Sequence, residues 1–342
     1  MLFLAQVALT ASPLRCGLAT TQFAQNTPTL VTAVGTKKLS FWWNWATTPS
    51  VDTAELPAPV TAQLNKRFVP MLWGQAPLAD YDFLKAAQEV MGYNEPDLYG
   101  PACCNCDGKQ SYYPATSSGW LALFNPASAA HFWRDTVNNL TSHAAAKSIR
   151  IVSPSMANGA KPVAGVDCTL DPAIAGHPKR CEGWLSLFKA ASLQFECTRF
   201  DGTTTNCWDV MGAIQIHAYA KTAAEVLQKI DGYLEVFADD VVGKGGRSKK
   251  VLWLTEVAAA SNDQAEIVPF VDALMSTQGG LGDRVKYAAV ERVSWFSEWF
   301  FNAFNVSGHT VRPNERWASS LFLPFGGLSE VGTAFFENCA EV

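Results

Sequence analysis

The clearest sign of the fold is the stretch Val90-Met91-Gly92-Tyr93-Asn94-Glu95-Pro96-Asp97, an apolar run that ends on a carboxylate between an amide and a proline. Pro96 has no backbone donor and favours an extended conformation at Glu95, so a buried strand must end here. Asn94 and Glu95 then lie at the carboxyl end of that strand. In a parallel β/α barrel, this end of the strands carries the reacting groups.

A second stretch, Lys250-Val251-Leu252-Trp253-Leu254-Thr255-Glu256, has the same design and places another carboxylate after an apolar run. Two glutamates at the ends of two buried strands predict a paired-carboxylate site. The alternative is that each glutamate caps a surface helix, because acidic residues are favoured in first turns. Glu95 and Glu256 together, with the amide and aromatic residues near them, favour the paired site.

Length and composition restrict the classes of function. The 342 residues include 12 Trp and 20 Phe, which allow one large core, and an α/β barrel of this length needs no second domain. The net charge is −5, and the most basic run is the short Arg247-Ser248-Lys249-Lys250. We therefore expect that the protein binds neither nucleic acid nor anionic membranes. No run reaches the roughly eighteen apolar residues of a membrane span. We also expect a monomer.

The nine cysteines indicate disulfides and therefore a secreted, extracellular protein. Cys16 and Cys339 can pair and join the two ends of the chain. The alternative of a metal cluster at Cys103, Cys104 and Cys106 is weaker, because adjacent ligands without a second Cys-x-x-Cys suit zinc poorly. Residues 1–11 are apolar but have no basic region or clear cleavage site, so they are either a signal remnant or simply the start of the chain.

Strand-like and helix-like segments alternate along the chain without a repeat or a linker. We predict seven strands, and they are residues 38–45, 66–74, 90–95, 148–155, 210–219, 250–256 and 289–297. Apolar runs indicate burial on both faces, and the intervening helices indicate parallel pairing. An α/β fold, a single-domain (β/α)8 TIM-like barrel, fits best, with the eighth strand expected in residues 46–65 or 319–323. The barrel would span residues 37–325, between an N-terminal segment, 1–36, and a tail, 326–342.

Seven segments resemble, in this order, glycoside hydrolase family 128, and they are residues 41–45, 68–74, 92–97, 152–159, 216–219, 252–256 and 291–295. That family consists of β/α-barrel endo-β-1,3-glucanases of the clan whose acid/base ends strand four and whose nucleophile ends strand seven. The resemblance covers about residues 37–300. It implies Glu95 as the acid/base, Glu256 as the nucleophile and a β-1,3-glucan such as laminarin as the substrate. The Cys-rich loops, residues 98–118 and 160–183, depart from simpler members and leave the number of subsites open.

The residue types support this chemistry beside the resemblance. Retaining hydrolysis needs two carboxyl groups about 5 Å apart, one to attack the anomeric carbon and one to protonate the departing oxygen. Glu256 would be the ionised attacker and Glu95 the neutral acid. Asn94 is placed to donate a hydrogen bond to the sugar 2-hydroxyl. His217 and Tyr219 share one face of their strand and could orient a glutamate, although a core histidine is the alternative for His217.

Aromatic side chains near strand ends are the other half of the predicted site, because sugar rings stack on aromatic surfaces. We predict that Trp45, Trp73 and Trp295 face the sugar, with plain packing as the alternative for each. Trp253 precedes Glu256 by three residues, so strand alternation predicts that it points away from that carboxylate.

Three classes of function follow. A retaining endo-acting glucanase needs Glu95 and Glu256 and no metal or other cofactor. A glucan-binding or recognition protein on the same fold would usually have lost one of these glutamates, and both are present. An unrelated α/β hydrolase is disfavoured because the sequence has no Gly-x-Ser-x-Gly elbow. The residues alone support a neutral or weakly charged polysaccharide, and the β-1,3 linkage rests on the resemblance.

Overall fold

The structure is a computed structural model, and it describes residues 13–20, 32, 35, 37–49, 56–74, 81–98, 123–144, 147–157, 159–161, 181–246, 248–261, 263–296, 320–323 and 327–341. The strands of the described residues are β1 (Arg15–Ala19), β2 (Leu39–Trp43), β3 (Glu89–Val90), β4 (Arg150–Met156), β5 (Glu196–Thr198), β6 (Thr204–Asn206), β7 (Met211–Ala220), β8 (Val251–Ala259) and β9 (Val290–Phe296). β5 and β6 form a separate antiparallel hairpin, and the other seven form one parallel sheet.

Helices follow most of these strands along the chain. The α-helices of the described residues are α1 (Ala58–Arg67), α2 (Pro126–His143), α3 (Trp184–Ser192), α4 (Ala223–Val236), α5 (Ala238–Val242), α6 (Gln264–Met275) and α7 (Glu330–Glu337). Their starts are encoded locally: Asn125 accepts hydrogen bonds from the first turn of α2, and Thr222 forms a capping box with Glu225 at α4. Polar caps therefore fix where α2 and α4 begin.

The parallel sheet has the order β2-β1-β9-β8-β7-β4-β3. Residues 68–73 span the gap between its two edge strands, because Phe68 bridges Trp42 and Met71 bridges Met91. Pro70 lies within this segment and cannot donate to a ladder, which explains why isolated bridges replace a regular strand. The predicted TIM-like architecture is confirmed, with seven regular strands and one irregular segment.

β1 is a strand that the sequence did not predict, because the eighth strand was expected in residues 46–65 or 319–323. The structure puts α1 within residues 46–65, and Phe322 makes only an isolated bridge to Leu328. The missing strand is Arg15–Ala19, which pairs with both β2 and β9 and lies in the segment expected to precede the barrel. Its five residues include Gly17, where the ring of Phe41 lies 2.4 Å from the position of a Cβ atom. A strand so short, with a glycine in it, has too weak a pattern to be recognised alone.

Two apolar layers hold the barrel together. The inner layer fills the barrel and consists of Ala19, Phe41, Trp43, Val69, Met71, Met91, Val152, Ala213 and Trp253. The outer layer lies between the strands and the helices and includes Leu254, Trp295 and Phe335. Alternation along each strand sends successive side chains to opposite layers. The position of a residue in this alternation therefore decides whether it can reach the interior of the barrel.

Disulfides tie the described segments together. The predicted bond between Cys16 and Cys339 is present and joins β1 to the end of α7, and Cys197–Cys207 closes the β5–β6 hairpin. Cys181 is also disulfide-bonded. The three cysteines considered as a metal cluster, Cys103, Cys104 and Cys106, lie outside the described residues. None of the helices in the described part of the chain is long and apolar enough to cross a bilayer.

Candidate active site

Glu256 lies inside the barrel because β8 contains a bulge. The strand does not end at Glu256, as the sequence predicted, but continues to Ala259. Ile216 of β7 pairs with Leu254, whereas the next residue, His217, pairs with Glu256, so β8 has one extra residue here. The extra residue reverses the alternation. The prediction that Trp253 points away from Glu256 is therefore wrong, but Trp253 is a core residue, as the sequence predicted, with its indole fully buried in the inner layer.

Glu95 follows β3 at the same end of the barrel. The prediction that Glu95 is extended before Pro96 is wrong, because its φ of 45° lies in the left-handed region. That region costs a residue with a side chain about 1 kcal/mol or more. The backbone N–H of Glu95 donates to the carbonyl oxygen of Ser155 at 3.0 Å, and Pro96 begins a 3-10 turn, Pro96–Leu98. Local strain of this kind is held by surrounding structure and is typical of functional positions.

His217 links the two buried carboxylates. Its Nδ1 lies 2.8 Å from Oε1 of Glu95 and 3.3 Å from Oε2 of Glu256. One oxygen of each glutamate and one nitrogen of His217 all lie within 4.8 Å of one another. The Nε2 atom of His217 is buried and has no hydrogen-bond partner among the described residues. The Nδ1 side of the ring is therefore the side that serves the two glutamates.

Two further donors hold Glu256. Trp45 Nε1 donates to Oε1 at 2.8 Å, and the hydroxyl of Tyr219 donates to Oε2. Trp45 also has a left-handed backbone, with φ of 59°. Thus two of the three non-glycine residues with positive φ in the described chain are at this site. Such unfavourable backbone conformations persist where the surrounding structure holds them, and they cluster at functional sites.

Burial and the shared charges shift the pKa values of this group. Burial raises the pKa of Glu256 to about 7, against the opposing effects of His217 and of the two hydrogen bonds. Burial alone would lower the pKa of His217, but the negative charges of Glu256 and Glu95 and the hydrogen bond to Glu95 raise it above its ordinary value. Perturbed carboxylates in a buried cluster are a recognised mark of acid–base sites.

The remaining predicted residues near the carboxylates are Asn94 and Trp73. Asn94 is buried, its backbone N–H donates to the carbonyl oxygen of Trp73 at 3.0 Å, and its side-chain oxygen lies 3.4 Å from the hydroxyl of Ser155. Trp73 is half-buried against the inner layer. The structure thus brings Asn94 and Trp73 next to the Glu95 turn, and their contacts with a sugar stay predictions.

Trp295 does not face the site, so that part of the prediction is wrong. Its ring is fully buried in the outer layer, 6.3 Å from the ring of Phe270 and 5.8 Å from that of Phe335. Its neighbour Phe296 lies on the inner side, with ring centroids 5.6 Å from Trp45 and 5.4 Å from Tyr219. Strand alternation in β9 could have indicated that Phe296, not Trp295, faces the interior, because Ser294 and Phe296 share one face of the strand.

The set Glu95, His217 and Glu256 also has the donor types and the spacing of a metal site. In the structure these atoms are satisfied differently: Nδ1 of His217 contacts both glutamates, and Glu256 accepts hydrogen bonds from Trp45 and Tyr219. A metal ion would have to displace these contacts. The absence of a metal requirement stays a prediction.

The chain resembles known proteins both in sequence and in structure. The sequence profile described as "Glycosyl hydrolase catalytic core" matches residues 17–335. No curated protein matches the chain significantly. The subgroup IV endo-β-1,3-glucanase of family GH128 from Lentinula edodes is 16% identical, with a TM-score of 0.54, over 94% of this chain and 98% of that one.

Two further GH128 structures show the same fold. One is a mutant of the subgroup I endo-β-1,3-glucanase from Amycolatopsis mediterranei in complex with laminaripentaose, 19% identical, with a TM-score of 0.52, over 94% of this chain and 98% of that one. The other is the subgroup VII oligosaccharide-binding protein from Cryptococcus neoformans, 19% identical, with a TM-score of 0.50, over 96% of this chain and 95% of that one. The resemblance to family 128 is confirmed at the level of the fold.

Proposed function

The chain belongs to the glycosyl hydrolase catalytic core family, and we propose that it is a retaining, endo-acting β-1,3-glucanase. The observation that carries this proposal is the separation of Glu95 and Glu256. One carboxylate oxygen of each lies within 4.8 Å of the other and of a ring nitrogen of His217. Retaining enzymes keep their two carboxyl groups about 5 Å apart, whereas inverting enzymes need a wider gap for a water molecule. The separation therefore supports double displacement.

The contacts divide the roles of the two glutamates. Trp45 and Tyr219 donate to Glu256, and such hydrogen bonds favour its ionised form, as a nucleophile requires. In the first step, an oxygen of Glu256 bonds to the anomeric carbon while Glu95 protonates the departing glycosidic oxygen. In the second step, Glu95 takes a proton from water, which attacks the same carbon and releases Glu256. His217 contacts a carboxylate oxygen of Glu95 and one of Glu256, and so fixes the positions of the two side chains relative to each other.

The substrate class rests on likeness and on the lining of the site. The GH128 structures named above include two β-1,3-glucanases, one of them in complex with laminaripentaose. Trp45, Trp73 and Phe296 place aromatic surface beside the carboxylates, which suits the faces of neutral sugar rings. We propose Asn94 as the donor to the 2-hydroxyl. The mechanism uses no cofactor, and the disulfides suit a secreted, monomeric enzyme.

The alternative is a glucan-binding protein that does not hydrolyse its ligand. The likeness to the subgroup VII oligosaccharide-binding protein from Cryptococcus neoformans is the observation that favours it. Against it stand Glu95 and Glu256, both present and both in contact with His217. The two functions differ in turnover and share binding, so an assay must measure both.

The deciding experiment compares wild-type protein with Glu95→Gln and Glu256→Gln on laminarin, mixed-linkage glucan and cellulose. We expect a ladder of short β-1,3-oligosaccharides from laminarin with the wild type alone, and the β-anomer as the first product by proton NMR. Both variants should still bind laminari-oligosaccharides in calorimetry. Glucan binding without product from the wild type would support the binding protein, and wild-type activity in Glu256→Gln would remove that residue from the mechanism. Release of glucose alone would replace the endo mode with an exo mode.

A further inference from the structure

The opposite mouth of the barrel contains a cavity of about 880 Å³. Its lining includes Arg15 and Glu89, the first residues of β1 and β3, so it lies at the amino ends of the strands. Glu95 and Glu256 lie at the other end. A volume of this order is within the usual range of small-molecule sites, roughly 300 to 1,000 Å³. The cavity is thus separate from the proposed catalytic site.

The charges that line this cavity do not balance. Arg292 donates to Glu89 at its base, so these two charges are paired there. Four further cations line the cavity, Arg15, Lys37, Lys66 and Arg67, and the only other lining carboxylate is Glu341 among the described residues. None of the four makes an ion pair with any residue that the structure describes. The surplus of positive charge is therefore directed at the cavity and not at a protein carboxylate.

Arg67 provides the second observation. Its Nη1 atom is buried and has no hydrogen-bond partner in the described chain, and burial lowers the pKa of its guanidinium. The last turn of α1 favours cations, which accounts for Lys66 and Arg67 in that turn but not for a buried donor without an acceptor. A buried donor without an acceptor destabilises the protein. An oxyanion in the cavity would supply the missing acceptor.

Arg15 lies where it could act with Arg67 on one ligand. Arg15 is directly opposite Arg292 in the β1–β9 ladder, and both line the cavity. Arg292 is paired with Glu89, whereas the exposed guanidinium of Arg15 makes no ion pair with any described residue and can bind an anion at this wall. Guanidinium groups bind phosphate and carboxylate oxygens in pairs, which makes them suited to multivalent oxyanions.

We propose that this cavity binds a small multivalent oxyanion, a phosphate- or polycarboxylate-bearing molecule, through Arg15 and Arg67, with Lys37 and Lys66 at its rim. The ligand binds at the end of the barrel remote from Glu95 and Glu256. Binding there joins β1, the end of α1 and β9, and so stabilises the barrel without entering the hydrolytic reaction. This proposal does not depend on the proposed glucanase activity.

The test is calorimetric titration of the full chain with inorganic phosphate and, separately, with citrate, at constant ionic strength maintained with sodium chloride. We expect saturable one-to-one binding of at least one of the two anions to wild type, with affinity at least about tenfold weaker in Arg67→Gln. Arg134→Gln is the matched control, because that guanidinium already pairs with Asp135 on α2. Phosphate binding alone would indicate a phosphate-bearing ligand, and citrate binding alone a polycarboxylate.

A second pair of variants keeps the test independent of folding. Lys66 is exposed, so Lys66→Gln should fold as wild type and weaken binding by a few-fold, whereas Lys85→Gln, at an exposed lysine that pairs with Asp82, should leave it unchanged. Laminarin hydrolysis should be the same in all four variants as in wild type. No saturable binding of either anion to wild type, or equal affinity in Arg67→Gln and Arg134→Gln, would overturn the proposal.

Discussion

Each mouth of the barrel contains a pair of glutamates, half-buried at the amino mouth and buried at the carboxyl mouth, and among the described residues the half-buried pair is the one matched by two guanidinium groups. At the amino ends, Arg150 lies 2.7 Å from Glu291, and Arg292 donates to Glu89. At the carboxyl ends, Glu95 and Glu256 share one imidazole, that of His217. The same side-chain type is thus placed in two electrostatic settings within one barrel.

Under the proposed function, this difference separates a stabilising site from a reactive one. At the amino mouth, the two guanidinium groups of Arg150 and Arg292 pair with the two carboxylates. One imidazole cannot balance two carboxylates, and burial raises the pKa of Glu256 to about 7. A group with its pKa near the working pH can take up and release a proton in a reaction. We therefore expect substitutions at the amino mouth to change stability and those at the carboxyl mouth to change turnover.

The largest expected effect comes from the same substitution at both mouths. Glu256→Gln should lower kcat on laminarin by at least about 1,000-fold, because an amide cannot attack the anomeric carbon. Glu89→Gln should leave kcat within about twofold but lower the free energy of unfolding by about 3–5 kcal/mol, because a buried Arg292 loses its closest carboxylate. Reducing-sugar assays and urea denaturation measure the two quantities. A large loss of kcat in folded Glu89→Gln would contradict the division between the mouths.

The next effect concerns the coupling at the amino mouth. Arg292→Met keeps an apolar chain against the rings of Phe41 and Trp253 but removes the charge, so it should lower the free energy of unfolding by about 3–5 kcal/mol. The double variant with Glu89→Gln should lose less than the sum of the two single variants, by about 1 kcal/mol or more. Urea denaturation of all four proteins measures this coupling. Additive losses would show that the pair itself contributes nothing.

A smaller effect is expected in the pH profile of turnover. Since Glu256 must be ionised to attack, kcat/KM should rise with pH along an acid limb centred near 7. The hydrogen bond from Tyr219 lowers the pKa of Glu256, so Tyr219→Phe should move this limb to higher pH by roughly half a unit to one unit. Initial rates on laminarin between about pH 5 and about pH 9, roughly two units on each side of the limb, measure it. A limb that does not move in Tyr219→Phe would assign it to another group.

The same pKa shift gives a stability change of fixed sign. The pKa of Glu256 in the folded protein is raised to about 7 from an ordinary value of 4.5, so its protonated form stabilises the fold. That contribution is complete below about pH 4.5 and is lost as pH rises towards about 7. The stability of wild type relative to Glu256→Gln should therefore fall over this range, as measured by urea denaturation at each pH.

The smallest effects distinguish two neighbours on β9. Trp295→Phe should leave the KM for laminarin unchanged and lower the free energy of unfolding by about 1–3 kcal/mol, because the indole packs between the sheet and the helices. Phe296→Leu should raise KM by a few-fold with little loss of stability, because its ring borders Trp45 and Tyr219. An increase of KM in Trp295→Phe at unchanged stability would return Trp295 to the cleft.

Much of the fold and of the site was predictable because its signals are local. Alternating apolar and helical segments indicated a parallel barrel. The same-face spacing of His217 and Tyr219 placed both near the glutamates, where the structure shows them. The Cys16–Cys339 bond also followed from the positions of the two residues near the chain ends. Each of these features depends on residues close in sequence or on simple chain geometry.

Other features depended on partners far along the chain. Arg15–Ala19 is a strand because β2 and β9 supply its hydrogen bonds, and five residues have too little pattern of their own. The extra residue in β8 is visible only from the pairing with β7. It shifts the alternation by one position, so that Trp253 and Glu256 both face the interior of the barrel. The sequence by itself determined the β/α barrel through local periodicity, and it pointed to two glutamates that follow apolar runs. Only the tertiary structure decided which aromatic ring faces them and that one histidine serves both, because strand register and shared burial are properties of the assembled barrel.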